Sequence, residues 1–190
     1  MPVSEGDSEG VRRGARQSKT QCLIMEVMIY STRMVANAFL RKAKEHGVKL
    51  THMKVQKLVF FIHAWSLALN NAQLLDERPE AWPYGPVFDS LYHDLKSFGS
   101  GAVDGFLTEL NPATGNIVAM IPSLQDASFW SLFQKVWDRY GVFTAMQLSA
   151  LTHESGGPWE IARKESMGII PDDLIKNYYR KKLNGPAVAA

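Results

Sequence analysis

The sequence predicts a mainly α fold: a single compact helical domain with a small β hairpin or short β element. Three observations predict it. Apolar residues recur at helical spacing in several segments. Most of these segments begin at a capping residue or a proline and end at a glycine. Short apolar pieces bounded by turn formers are confined to the middle of the chain. The 190 residues, 46% of them hydrophobic, suffice for one domain with a buried core.

The chain is predicted to have three parts. Residues 1–29 form a flexible N-terminal tail, because its Gly, Ser and interspersed charges bury too little apolar surface to offset the entropy of ordering. Residues 30–183 form the folded domain, and residues 184–190 form a flexible C-terminal tail.

Two helices are predicted at the start of the domain. Ser31 or Thr32 caps the first helix, which Gly47 ends. Thr51 caps the second helix, whose apolar residues between 58 and 69 extend beyond one face, so that it is expected to be central and buried on more than one side. Four cations of these helices are predicted to lie on solvated faces: Lys42, Lys44, Lys54 and Lys57.

The segment 70–82, where turn formers surround two short apolar pieces, is predicted to be a small β hairpin or an extended loop. Pro86 is predicted to occupy the first position of the next helix, because its fixed φ suits that position, and Gly99 and Gly101 end this helix. A short strand is predicted at 117–121.

Four helices are predicted in the last third of the chain. The first, 129–140, is strongly amphipathic. The second begins at a capping box formed by Thr144 and Gln147. Pro158 and Pro171 open the last two helices.

Charge and cysteine usage narrow the function classes. The formal net charge of +2 creates no field over the whole molecule that would select a nucleic-acid partner. The single cysteine, Cys22, excludes an internal disulfide and fits a reducing compartment. No apolar stretch reaches the roughly 18 to 20 residues that span a bilayer. We therefore expect a soluble, cytoplasmic protein without membrane insertion.

No catalytic or metal-binding pattern is visible in the sequence. The histidines His52, His63, His93 and His153 are well separated, and no HExxH or CxxC spacing connects them. There is no GxSxG nucleophile elbow. We therefore predict no enzymatic activity, no metal and no cofactor. The enzymatic alternative is a site assembled in space from His63, His93 and His153.

The segment Trp82-Pro83-Tyr84-Gly85-Pro86 is the strongest candidate for a binding surface. Two prolines and a glycine restrict the backbone, and rigid aromatic residues often dominate binding energy. Trp82 and Tyr84 could instead fill the core, or one could point inward and the other outward, and the sequence leaves this open. The segment 152–159 has the same ambiguity.

Four motifs in this order resemble one known family. They are Val35-Ala36-Asn37-Ala38-Phe39-Leu40, Val55-Gln56-Lys57-Leu58-Val59-Phe60-Phe61, Glu80-Ala81-Trp82 with Tyr84-Gly85-Pro86-Val87, and Leu151-Thr152-His153-Glu154 with Pro158-Trp159. From about residue 30 to about residue 179, the chain resembles the Panacea antitoxin domain family, which includes SocA-like antitoxins and phage-associated GepA-like proteins.

The resemblance implies an antitoxin of a toxin–antitoxin pair, which neutralises a cognate, genetically adjacent toxin by direct protein binding. For one branch of the family it implies an adaptor that delivers the toxin to a cytosolic protease. We expect the toxin to contact eight residues: Trp82, Tyr84, Gly85, Pro86, Thr152, His153, Pro158 and Trp159. The alternative is a DNA-binding autoregulator or phage regulatory protein, which the pI of about 8.6 and the basic segment 178–182 motivate.

Overall fold

The computed structural model describes residues 28–184 and confirms the mainly helical fold class. The described residues form seven α-helices: α1 (Thr32–Glu45), α2 (His52–Asn70), α3 (Asp89–Leu95), α4 (Ala127–Tyr140), α5 (Ala145–Thr152), α6 (Pro158–Lys164) and α7 (Asp172–Asn184). They also form two antiparallel hairpins: β1 (Glu80–Trp82) with β2 (Gly85–Val87), and β3 (Glu109–Leu110) with β4 (Ile117–Val118). The predicted tails, 1–29 and 184–190, lie almost wholly outside the described residues, as does Cys22.

Helix α2 lies at the centre of the domain, as predicted. It packs against α1, α3, α4, α5 and α7 and against strand β2. Most of its 19 residues are buried, which is the pattern of a helix that is apolar nearly all round. Each large apolar side chain buried in this way contributes about 1.5–3 kcal/mol, so α2 organises the core.

Aromatic rings join α2 to two of its neighbours. Phe61 stacks on Tyr140 of α4, with ring centroids 4.1 Å apart and planes 7° from parallel. The indole Nε1 of Trp65 donates to the hydroxyl of Tyr140 at 3.0 Å, and the Trp65 ring meets Tyr179 of α7 edge-on at 5.1 Å. Tyr179, which is 2% exposed, is therefore a core residue of the last helix.

Two lysines of α2 correct the prediction that they lie on a solvated face. Lys54 and Lys57 are 9% and 1% exposed, because α2 has neighbours on every side. The Nζ of Lys54 donates to the carbonyl of Gly141 at 2.7 Å. On α1, which does have a solvated face, Lys44 is exposed and Lys42 is half-buried.

The helix ends follow the predicted capping residues. Ser31 Oγ accepts a hydrogen bond of 3.1 Å from the backbone N–H of Met34 at the start of α1. Gly47 follows that helix with φ of +65°, the left-handed conformation that favours glycine. Thr144 and Gln147 form the predicted capping box at the start of α5.

The β1–β2 hairpin corrects the prediction that Pro86 opens a helix. Pro86 pairs with Ala81 inside the hairpin, and α3 begins three residues later at Asp89. Gln56 explains the difference, because its side-chain amide donates to the carbonyl of Phe88 at 3.1 Å and accepts from the N–H of Phe88 at 3.0 Å. These two bonds hold Phe88 extended, with φ of −90° and ψ of 117°, so the helix cannot start earlier.

The β elements are short and form two separate hairpins. The region 70–82 contributes the strand Glu80–Trp82, whose partner is β2, and Leu75, which forms an isolated parallel bridge with Tyr30. The strand predicted at 117–121 is limited to Ile117–Val118. Its partner, Glu109–Leu110, was not predicted, since two residues are too few for an alternating pattern.

Candidate functional site

The β1–β2 hairpin lies against α5 and α6, so the two segments predicted to contact a partner are neighbours in the structure. The indole Nε1 of Trp159 donates to the carbonyl oxygen of Trp82 at 2.8 Å. The hydroxyl of Ser149 donates to the carbonyl oxygen of Tyr84 at 3.3 Å. Both bonds end on the hairpin backbone, so α5 and α6 hold the turn in place without using the side chains at its tip.

Gly85 allows this close approach between the hairpin and the helices. Its φ is +104°, and a Cβ at this position would lie 2.8 Å from Lys57 Nζ, 2.9 Å from Thr152 Oγ1 and 3.1 Å from His153 Cε1. The first two distances are shorter than ordinary contacts, and the conformation itself disfavours any side chain. The tight contact between the hairpin and α5 therefore requires glycine.

Lys57 lies beneath the hairpin and is 1% exposed. Its Nζ donates to the carbonyl oxygen of Pro86 at 2.9 Å, and no carboxylate among residues 28–184 forms an ion pair with it. Removal from water disfavours the ammonium form, so burial lowers the pKa of Lys57 to about 7. The lysine fastens the hairpin to α2 and adds little charge to the surface.

His153 has a defined orientation at the end of α5. Its Nδ1 lies 2.5 Å from the carbonyl oxygen of Ser149, and a carbonyl can only accept, so Nδ1 carries the proton. The ring meets Trp159 edge-on, with centroids 3.8 Å apart. In the neutral ring Nε2 is then an acceptor, on a side chain that is half-buried.

The eight residues predicted to contact a toxin divide by exposure. Only Tyr84 among them is exposed, at 77%. Three are half-buried: Trp82, His153 and Trp159. Four are buried: Gly85, Pro86, Thr152 and Pro158. The buried residues support the surface and do not themselves present area to a partner.

The two aromatic residues of the turn point in different directions, which the sequence left open. The indole Nε1 of Trp82 donates to Glu80 Oε2 at 2.7 Å, and the Trp82 ring lies 4.6 Å from that of Tyr92. Tyr84 instead projects from the tip of the hairpin. Trp82 thus combines a packing role with a partly accessible face, whereas Tyr84 is free to contact another protein.

The histidines of the enzymatic alternative have different surroundings. His63 is buried with its Nε2 3.8 Å from Asp172 Oδ1, and this histidine is the leading cause of the lowered pKa of that carboxylate. His93 is exposed on α3 and contacts Lys96. Within the described part of the chain, no three His, Cys, Asp or Glu side chains are grouped so as to hold a metal ion. The described helices include none long and apolar enough to cross a bilayer.

Two residues that hold this site together were not predicted to belong to it. Lys57 was expected in water, although the apolar residues that flank it on all sides of α2 indicate a helix without a solvated face. Ser149 has no local signal, because its contact with Tyr84 joins residues that are 65 positions apart.

Comparisons with known proteins bear on the family of this chain. The model of the family described as "Antitoxin SocA-like, Panacea domain" matches residues 55–160. Over 154 residues the chain is 28% identical to Antitoxin SocA of Caulobacter vibrioides (strain NA1000 / CB15N), and the match covers 78% of this chain and 81% of that relative. No solved structure matches the chain significantly. These matches support an antitoxin role and confirm the resemblance drawn from the four motifs. The chain therefore belongs to the family of SocA-like antitoxins with a Panacea domain.

Proposed function

We propose that this protein neutralises a toxin encoded by an adjacent gene, and that it does so by binding the toxin directly. The observation that carries the proposal is Tyr84, a large aromatic side chain that is 77% exposed on a turn whose backbone is held from beneath. Exposed aromatic residues on rigid turns lose little conformational entropy on binding and often dominate binding energy.

The contact would centre on Tyr84 and continue over the accessible faces of Trp82, His153 and Trp159. His153 contributes an acceptor at Nε2, and the two indoles contribute apolar area. The indole N–H groups of Trp82 and Trp159 are already bonded within the protein, so a partner can cover the rings without leaving these donors unsatisfied.

The first experiment is a growth assay of the adjacent gene, expressed alone and together with this protein. We expect the neighbour alone to arrest growth and co-expression to restore it, with the two proteins co-purifying in about equal amounts. A harmless neighbour, or toxicity that co-expression does not relieve, would refute the proposal.

Delivery of the bound toxin to a cytosolic protease is a further part of this proposal. It predicts that the toxin's half-life in cells shortens when the antitoxin is present and lengthens when the protease gene is deleted. Neutralisation by occlusion alone predicts that the half-life does not depend on the protease. A pulse-chase measurement of the toxin in both strains separates the two mechanisms.

The pI of about 8.6 and the basic segment 178–182 motivate the DNA-binding alternative, and the structure gives part of that segment other partners. Arg180 Nε donates to the carbonyl of Ala68 at 3.0 Å, and Lys182 forms an ion pair with Glu154. Contacts of this kind reduce the cationic surface that would meet phosphates. The observations therefore favour a protein partner over DNA.

A further inference from the structure

A groove of about 540 Å³ lies beside the β1–β2 hairpin, between β1 and the loop that joins α6 to α7. Trp82 and Pro83 line it on the hairpin side, and Met167 and Gly168 line it on the loop side. It is an open groove, and polar and apolar atoms contribute about equally to its lining.

The groove is formed before any partner arrives. The backbone N–H of Ala81 donates to the carbonyl of Gly168 at 2.9 Å, and the N–H of Ile170 donates to the carbonyl of Pro79 at 2.8 Å. These two bonds attach the loop to the outer edge of β1. Because both walls are already ordered, a ligand that enters the groove does not have to order them.

Glu80 and Arg163 carry opposite charges and both line the groove, but they differ in whether they already have a partner within the protein. Glu80 Oε2 already accepts from the indole of Trp82. Arg163 is exposed, and its guanidinium donates to the carbonyl of Ala81 at 3.3 Å, while no carboxylate of residues 28–184 forms an ion pair with it. A guanidinium has five N–H groups arranged to fit a carboxylate. The groove therefore complements an anionic group beside apolar surface.

We propose, on the basis of the function proposed above, that this groove receives an extended surface segment of the toxin. An apolar side chain of that segment packs between Trp82 and Met167, and an adjacent Asp or Glu carboxylate pairs with Arg163. The groove shares Trp82 and Pro83 with the turn that carries Tyr84, so one continuous toxin surface covers both the groove and Tyr84.

Two substitutions test the groove by different means. A side chain added at Gly168 meets no atom within 4 Å at its Cβ, and the φ of Gly168 lies outside the left-handed region, so Gly168→Phe adds a large ring to the loop wall of the groove without forcing the backbone. Arg163→Glu reverses the charge. We expect each variant to weaken binding of the purified adjacent-gene toxin about tenfold or more. Thermal unfolding should be unchanged for Gly168→Phe, and only slightly lowered for Arg163→Glu, which loses the bond to Ala81 and places an acid in the last turn of α6. Arg163→Lys keeps the positive charge but lacks the planar pair of N–H donors that fits a carboxylate, so this variant should bind the toxin with intermediate affinity.

The controls are Tyr84→Ala, which tests the turn, and Lys135→Glu, which reverses an exposed charge on α4 outside the groove. If Gly168→Phe and Arg163→Glu bind as the wild type does while Tyr84→Ala is weakened, the groove inference is wrong and the proposed function stands. If the wild-type protein does not bind the toxin at all, both are wrong. A toxin whose C-terminus is extended by Gly-Ser tests where the carboxylate comes from. If Arg163→Glu does not weaken binding of this extended toxin, the carboxylate that pairs with Arg163 is the C-terminal one of the toxin, and the proposal of an internal segment is refuted.

Discussion

Lys57 Nζ donates a hydrogen bond of 2.9 Å to the carbonyl oxygen of Pro86, and this bond attaches the hairpin that carries Tyr84 to the central helix. The lysine reaches this acceptor through the core, where it is 1% exposed. A charged ammonium in such a position costs free energy that no described carboxylate offsets. The pKa of about 7 that results from burial makes the support of the hairpin dependent on pH.

We predict that the free energy of unfolding rises between about pH 7 and pH 9 because of Lys57. In the unfolded chain a lysine has a pKa of about 10.4, whereas burial lowers the pKa of Lys57 in the folded protein to about 7. Between these values the unfolded chain binds more protons, so stability increases by up to about 1.4 kcal/mol per pH unit. This stability is fully present above the unfolded pKa and is lost as the pH falls through the folded pKa.

Lys57→Met removes the titrating group while keeping an unbranched apolar stem. Urea denaturation at pH 7, 8 and 9 should show a steeper slope for the wild type than for the variant, which keeps only the smaller pH dependence that comes from the lowered pKa of the buried Lys54. Equal pH dependence in the two proteins would contradict the assignment to Lys57. The comparison is made below pH 10. At higher pH the titration of Tyr140 and Tyr179, whose pKa burial raises, would add its own pH dependence to the free energy of unfolding.

Gly85→Ala is predicted to destabilise the fold by roughly 2–4 kcal/mol. The loss has two causes: the positive φ of Gly85, and the collision of the new Cβ with Lys57 and Thr152. Gly47→Ala is the matched control, since Gly47 also has a positive φ but nothing lies within 4 Å of its added Cβ. The control should lose only about 1 kcal/mol. Equal losses in chemical denaturation would show that the close approach at Gly85 adds no energy.

Local signals explain which parts of the fold could be predicted from the sequence. The capping box of Thr144 and Gln147 and the glycine after α1 depend on residues that are close in the chain, and the structure has both. The position of Pro86 could not be predicted, because the side chain that keeps the following backbone extended belongs to Gln56, some 32 positions from Phe88. Contacts between distant segments override local propensity at such places.

For the candidate site, too, some features could be predicted from the sequence and others could not. The residues predicted for this site come from two separated segments of the chain. The structure brings these segments together through the hydrogen bond between Trp82 and Trp159. Which residue is exposed to solvent could not be predicted, since Tyr84 and Trp82 have similar local surroundings in the sequence. Exposure depends on what packs against each ring, and Tyr92 covers one side of Trp82.

Tyr84→Ala and Trp82→Ala are predicted to separate binding from folding. Tyr84 is 77% exposed, so its truncation should change stability by no more than about 0.5 kcal/mol while weakening toxin binding about tenfold or more. Trp82→Ala removes the bond to Glu80 and the contact with Tyr92 and should lower stability by roughly 2 kcal/mol. Isothermal titration and thermal unfolding measure the two quantities. A proportional loss of stability in Tyr84→Ala would make Tyr84 a packing residue.

Ser166→Gly is predicted to stabilise the protein by about 1 kcal/mol. Ser166 has φ of +54° at the turn that ends α6, where glycine is the favoured residue. The backbone bond of this turn from Met167 N–H to the carbonyl of Ala162, 2.8 Å long, does not involve the serine side chain, so the substitution leaves it intact. The main effect of the substitution is then to remove the strain that the left-handed conformation imposes on serine.

Asn71→Gly is the matched control for Ser166→Gly, because Asn71 has the same φ of 54°. Asparagine tolerates the left-handed conformation better than serine does, and Asn71 Oδ1 also accepts from Arg180 Nη2 at 3.2 Å. Its replacement should therefore give no gain in stability, or a small loss. Chemical denaturation of both variants checks the contrast. An equal gain at the two positions would mean that the side-chain bond of Asn71 contributes nothing and that backbone conformation alone determines stability at both turns.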